Sequence, residues 1–265
     1  MLNTISDAMH AREATGHIQN QLDVYPNTRV INDPTAVMQT TRDGNYERLR
    51  ALPNVHFPRT VRLRIDTPTS EDLYRQLSDL GFKLPFILRR VGTQTGRSTE
   101  RIDDANDVTA FCARKPRGEY YAIQYKPLLW RETYFRKMRL FCIDGEAYPV
   151  VCHFDQVWNV HGGNRRTVMK TSTELIEQEM AFLRDWRRYT RLKAAAAVDE
   201  EFAHTPLEFF GTDFSVDSDG GLFIYELNAT MRHSFDHARN FSYKMPYDQQ
   251  TTAAFEAMVY RRLHR

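Results

Sequence analysis

The stretch "FRKMRLFCIDGEAYPVVCHF", residues 135–154, limits the fold of this chain more than any other. Two runs, 135–143 and 146–154, are separated by Asp144-Gly145, a pair that supplies the positive φ angles of a two-residue hairpin turn. Such a turn demands antiparallel neighbours and excludes an all-helical chain. "PLEFFGTDFSVDSDGGLFIYEL" predicts a second hairpin, with Gly220 and Gly221 in its turn.

Helical segments surround these hairpins. "TRVIND" reads as a short strand, and "DPTAVMQTTRDGNYERLRAL" as a Pro-initiated helix capped by Asp33. "HFPRTVRLRI" is strand-like. "TPTSEDLYRQLSDLGF" predicts a helix with Ser70 as N-cap, Leu73, Leu77 and Leu80 on one face, and Gly81 as its stop. "KLPFILRRV" predicts a buried strand entering the loop "GTQTGRST". "DDANDVTAFCAR" is a helix and "EYYAIQYKPLL" a strand. The long segment from Thr171 to Thr205 is helical, as one helix or two, and "YDQQTTAAFEAMVYRRLHR" is a closing helix. The expected organisation is a leading region over 1–57, a compact α+β unit over 58–125, and a sheet with helices over 126–265.

Composition narrows the function. With 42% hydrophobic and 26% charged residues the profile is that of a globular protein. A formal net charge of +2 gives no global case for nucleic acid. Cys112, Cys142 and Cys152 show no CxxC spacing, so reduced, buried thiols are expected. No apolar run approaches the roughly 18–20 residues of a membrane span, and the N-terminus lacks a signal-peptide pattern. The expectation is a cytoplasmic protein with no membrane partner.

The second hairpin carries oxygen ligands. Glu226 and Asn228 are two apart on one strand and share a face, and Asp213 on the neighbouring strand can lie near the same end. Acids on one face repel unless a cation sits between them, and magnesium takes such hard oxygen donors together with phosphates and water. A solvated hairpin with charged ends fits the same spacing. Upstream, Arg89 and Arg90 end a strand before a Gly/Thr loop whose backbone N–H groups suit phosphate oxygens, although no Walker motif is present. In "YFRKMRLF", Lys137 and Arg139 alternate with Met138 and Leu140, giving one basic face and one buried face. "WNVHGGNRR" is a loop suited to ligand contact or to a tight turn. His233 and His237, four apart, have no third zinc ligand nearby.

Together these pieces resemble the ATP-grasp superfamily, in its amide-ligase branch. Within it they resemble ATP-grasp domains linked to tetratricopeptide repeats and, more distantly, ribosomal-protein glutamate ligases and glutathione synthetase-like enzymes. The resemblance covers roughly residues 30 to 240. It rests on "RVINDPTAVMQTTRDGNYERL", "FPRTVRL", "PFILRRVGTQTGRST", "AIQYKPL", "FRKMRLFCIDGEAYP", "VHGG" and, most specifically, "GTDFSVDSDGGLFIYELNATM".

The resemblance implies an α+β, ATP-grasp fold of two subdomains clasping ATP, with a shortened N-terminal region. It implies Mg2+ (or Mn2+) on Asp213, Glu226 and Asn228. ATP contacts would come from Arg89 or Arg90, Gly92, Thr93, Thr95, Gly96, the hinge Gln124, Tyr125 and Lys126, and Lys137. Arg139, Lys137 and Arg232 would act on the reacting groups. The implied reaction joins a carboxylate to an amine through an acylphosphate, on a small-molecule or peptide substrate. A kinase with the same site, or a non-catalytic nucleotide-binding module, are the alternatives. Three features depart from the family pattern. Arginine stands where the first phosphate-contacting strand usually has lysine, the hinge lacks its usual acid, and only about 57 residues precede the central unit. A homodimer or another protein would complete that short region.

Overall fold

The computed structural model describes residues 1–264 apart from 7, 10, 67–68, 94–97, 115–116, 161–162, 164 and 232–239. Apolar side chains segregate into separate cores in two units, residues 1–57 with 127–265 and residues 58–126.

The first unit begins with α1 (Arg12–Val24), α2 (Pro34–Met38), α3 (Arg42–Leu49) and β1 (Val55–His56). The single helix expected over 33–52 is two. Asp33 caps α2 by accepting from the N–H groups of Thr35 and Ala36, and the Thr41 hydroxyl caps α3 by accepting from Gly44 N–H at 3.2 Å. A second capping side chain restarts the helix because it satisfies an otherwise orphaned amide. "TRVIND" forms no strand beyond an isolated bridge between Leu2 and Ile31. Asn32 turns the chain there, with φ of 59°.

The second unit holds β2 (Thr60–Ile65), α4 (Ser70–Asp79), β3 (Phe86–Arg90), β4 (Thr99–Ile102), α5 (Ala105–Arg114) and β5 (Gly118–Gln124). Its sheet runs β2-β5-β3-β4, antiparallel throughout. Thr69, one residue before the expected Ser70, is the N-cap of α4 and accepts from Asp72 N–H at 3.2 Å. Leu73 and Leu77 join Phe86, Leu88, Phe111 and Ala122 in the core of this unit, so both helices lie on one face of the sheet.

The chain then returns to the first unit through β6 (Leu129–Trp130), β7 (Tyr134–Ile143), β8 (Glu146–Asp155), α6 (Arg165–Val168), α7 (Thr173–Arg184), α8 (Trp186–Ala203), β9 (Phe209–Val216), β10 (Leu222–Asn228) and α9 (Met245–Leu263). Asp144 and Gly145 take φ of 56° and 87°, and β7 and β8 pair from Phe135–Asp155 to Ile143–Glu146. The strand order is β1-β10-β9-β7, with β8 along β7 and β6 beside its start. Leu175, Phe182 and Phe202 of α7 and α8 pack with Met138, Leu140, Phe214 and Ile224 on one face. Asp185 ends α7 and caps α8, accepting from Arg188 N–H at 3.0 Å. α9 covers part of the other face, where Met258 meets Phe141, Val151 and Phe209, and the Phe255 ring stands 4.8 Å from that of Phe209.

Side chains close both edges of this sheet. Along β10 the carbonyls of Tyr225, Leu227 and Ala229 accept from Arg42 Nη1 (3.3 Å), Asn45 Nδ2 (3.0 Å) and Asn32 Nδ2 (2.8 Å). Along β8 the Cys152 N–H donates to Glu179 Oε1 at 3.0 Å, and Lys244 Nζ donates to Val150 O at 2.8 Å. Glu179 is fully buried with Arg165, whose Nη1 lies 2.8 Å from Glu179 Oε1. The Tyr243 hydroxyl donates to Glu179 Oε2 at 2.5 Å, and the guanidinium lies 4.0 Å from the Phe241 ring centre.

Candidate functional site

Residues opposite one another across antiparallel strands share a face, and so do residues two apart along a strand. Arg139 of β7 is opposite Asp213 of β9, and Asp213 is opposite Glu226 of β10. Lys137 and Asn228 follow by the two-residue period. Lys137, Arg139, Asp213, Glu226 and Asn228 therefore stand on the face away from α7 and α8, beside the part that α9 covers.

A β-bulge makes this grouping. Ile224 is opposite Phe214, yet Glu226, two residues on, is opposite Asp213, so Tyr225 is the extra residue. Before the bulge, Leu222 and Ile224 face the helices; after it, Leu227 and Ala229 do. The inversion turns Glu226 and Asn228 away from the core. Gly211, opposite Asn228 on β9, lies under the returning chain. A Cβ there would come within 2.7 Å of Met231 Cγ and Sδ.

The charges on this face are paired. Arg139 donates to Asp213 through a fork, Nε to Oδ1 at 2.6 Å and Nη2 to Oδ2 at 2.9 Å, and Lys137 Nζ lies 3.2 Å from Oδ2. Asp213 is 1% exposed. Burial works to raise its pKa, but Arg139 and then Lys137 outweigh it and hold the carboxyl well below the usual range. Arg139 itself is pushed above its ordinary value, its own burial being outweighed by Asp213 and Glu226. Glu226 is held by Arg42, from the first residue of α3, through an ion pair to Oε1. The mutual repulsion expected of the two acids is thus offset by cations of the protein itself. No local pattern in "TTRDGN" marks Arg42, because its partner is 184 positions away.

Two carboxylates and an amide within neighbouring strand positions are hard oxygen donors that suit Mg2+ or Mn2+. Among the described residues, no three His, Cys, Asp or Glu side chains converge, so a divalent ion on this face would draw on that mixed set.

In the smaller unit the alternation of β3 separates the two arginines. Phe86 and Leu88 face the helices, and Arg90 follows them, its Nη2 3.7 Å from where a Cβ on Gly118 would lie. Arg89 is opposite Tyr121 on the helix-free face, where the Arg62 guanidinium also lies 5.4 Å from the Tyr121 ring centre. Arg89 donates to the Thr93 carbonyl, Thr93 Oγ1 donates to Arg90 O at 2.7 Å, and Gly92 takes φ of 72°. Gln124 ends β5, with its N–H donating to Arg59 O at 2.8 Å. The Tyr125 hydroxyl lies 3.3 Å from Arg101 Nη1, and Lys126 is the last residue of this unit. Thr95, Gly96, Arg232, His233, His237 and the first glycine of "VHGG" lie outside the described residues.

No family model and no curated protein matches the sequence. Solved structures do match the fold. The D-alanine-D-alanine ligase of Coxiella burnetii superposes with a TM-score of 0.52 at 11% identity, over 99% of this chain and 69% of that one. The D-alanine–D-alanine ligase of Bacillus anthracis complexed with ATP gives 0.51 at 12%, over 95% and 76%. The carboxyaminoimidazole ribonucleotide synthase of Aspergillus clavatus complexed with ATP gives 0.50 at 14%, over 83% of this chain. The chain spans about half (52%) of that synthase. The α+β architecture of this protein is the ATP-grasp fold.

Proposed function

We propose that this protein is an ATP-dependent carboxylate–amine ligase that forms an amide through an acylphosphate, on an amino acid, a peptide or a small acid. The observation that carries the reading is one sheet face of an ATP-grasp fold on which Asp213, Glu226 and Asn228 stand beside Lys137 and Arg139. The Bacillus and Aspergillus structures are complexes with ATP, which supports the nucleotide.

Asp213, Glu226 and Asn228 would hold magnesium or manganese, which when bound neutralises charge on phosphate oxygens. Lys137 offers a point charge and Arg139 a planar fork, two geometries suited to phosphoryl oxygens. Phosphoryl transfer needs positioning and charge neutralisation more than a nucleophilic side chain. In the smaller unit, Arg89 with the backbone N–H groups around Gly92 and Thr93 makes an anion-binding corner.

The test is incubation with magnesium-ATP and pools of amino acids, peptides and small acids, followed by assay of ADP, free phosphate and condensed product by mass. A ligase releases phosphate; phosphate retained on the product would replace this reading with the kinase. Glu226→Ala and Asn228→Ala are expected to abolish ATP turnover with an unchanged circular dichroism spectrum. Full turnover in both would overturn the assignment of the site.

A further inference from the structure

Both carboxylates of the proposed site are already held by cations of the protein: Lys137 and Arg139 hold Asp213, and Arg42 holds Glu226, across three adjacent strands and the start of α3. Asp155 of β8 is opposite Phe135 of β7, so it stands near Lys137 and three strand spacings, roughly 14 Å, from the strand of Glu226.

A face whose acids are already paired disfavours a bare divalent cation, which must displace a protein cation, and favours one that arrives with a polyanion. Lys137 and Arg139 are already committed to Asp213, with contacts of 2.6 to 3.2 Å. The remaining carboxylate decides how the face treats a cation, and that carboxylate is Glu226. Arg42 holds it, while its Nη1 also donates to the Tyr225 carbonyl at 3.3 Å, so the guanidinium is fixed from two sides. With side chains 16% and 25% exposed, Arg42 and Glu226 interact with less screening than a surface pair.

We propose that Arg42 is a selectivity residue of this site: it holds Glu226 against bare divalent metal, so that metal is accepted only together with a polyphosphate. This rests on the ligase reading in one respect, the use of Glu226 and Asn228 as metal ligands. Coulomb's law, even at the dielectric of water, makes one unit charge about 5 Å from a divalent ion worth roughly tenfold in affinity.

The experiment measures Mn2+ binding by the loss of its free electron paramagnetic resonance signal, on the full chain, first with the metal alone and then with a non-hydrolysable ATP analogue. The wild-type protein should bind bare Mn2+ weakly and tighten with the analogue. Arg42→Gln should bind bare Mn2+ roughly tenfold tighter than wild type, while Arg42→Lys, which keeps the charge, should stay near wild type. Equal bare-metal affinity in wild type and Arg42→Gln would overturn the role of Arg42. So would equal gains in the Gln and Lys variants, which would mark a merely structural effect. Glu226→Gln and Asn228→Ala separate the two levels: if both keep wild-type binding in the presence of the analogue, the metal reading itself fails, whatever Arg42 does.

Discussion

Glu201 offers the sharpest physical test of the fold beneath the site. It lies on α8 with no solvent exposure, near the Thr212 hydroxyl and the Arg48 guanidinium. Burial pushes its pKa from an ordinary 4.5 up to about 8, against smaller downward pulls from Thr212 and Arg48. The folded protein thus keeps a proton that the unfolded chain releases. Its contribution is complete below about pH 4.5 and declines as pH rises towards 8. The slope is about 1.4 kcal/mol per pH unit, so on the order of 3 kcal/mol is lost between pH 5 and pH 7. Asp213 acts oppositely and in another range, since its depressed pKa removes stability only as pH falls below the usual carboxylate value. Glu201→Gln keeps the shape and removes the titration. Urea unfolding of both proteins at pH 5, 6, 7 and 8 should show wild type losing about 3 kcal/mol relative to the variant between pH 5 and 7. A pH-independent difference would refute a buried, protonated Glu201.

Two further outcomes follow from packing. Glu179→Ala leaves Arg165 buried without its carboxylate and should cost about 3–5 kcal/mol in urea unfolding, whereas replacing both by apolar residues should recover most of it; a single-variant loss under about 1 kcal/mol would mean that the pair is hydrated. Gly211→Ala should cost about 1–3 kcal/mol by pushing on Met231, and Met231→Ala in the same chain should cost less than the two changes summed. Strict additivity would show that the contact is absent in solution.

The hairpins were legible because Asp-Gly and Gly-Gly turns act locally, and alternation then put Lys137 with Arg139 and Glu226 with Asn228. What alternation alone could not supply is the bulge. In "LFIYELN", a regular strand would place Leu222, Ile224, Glu226 and Asn228 on one face and mix core with site. The extra residue that separates them leaves no composition signal. Arg89 and Arg90 were indistinguishable because "FILRRV" opens with apolar residues on both faces, and only Phe86 and Leu88 meeting the helices orders them. Arg42, Asn32 and Glu201 share one reason for escaping notice. Each has the sequence context of a surface polar residue, and only partners brought together by tertiary packing give it a role.

The capped edge of β10 carries a consequence for association. Outward carbonyls on a sheet edge are an invitation to a strand from another chain. Here three side chains from residues 32–45 take the places such a strand would bond, at Tyr225, Leu227 and Ala229. An intruding strand would first have to break those bonds, each contributing about 1 kcal/mol. Two of the three caps are asparagine amides and the third is a guanidinium, each aimed at a carbonyl of that edge. The strand that bears Glu226 and Asn228 is thereby protected from recruitment into a foreign sheet by side chains of a segment that precedes it by about 180 positions.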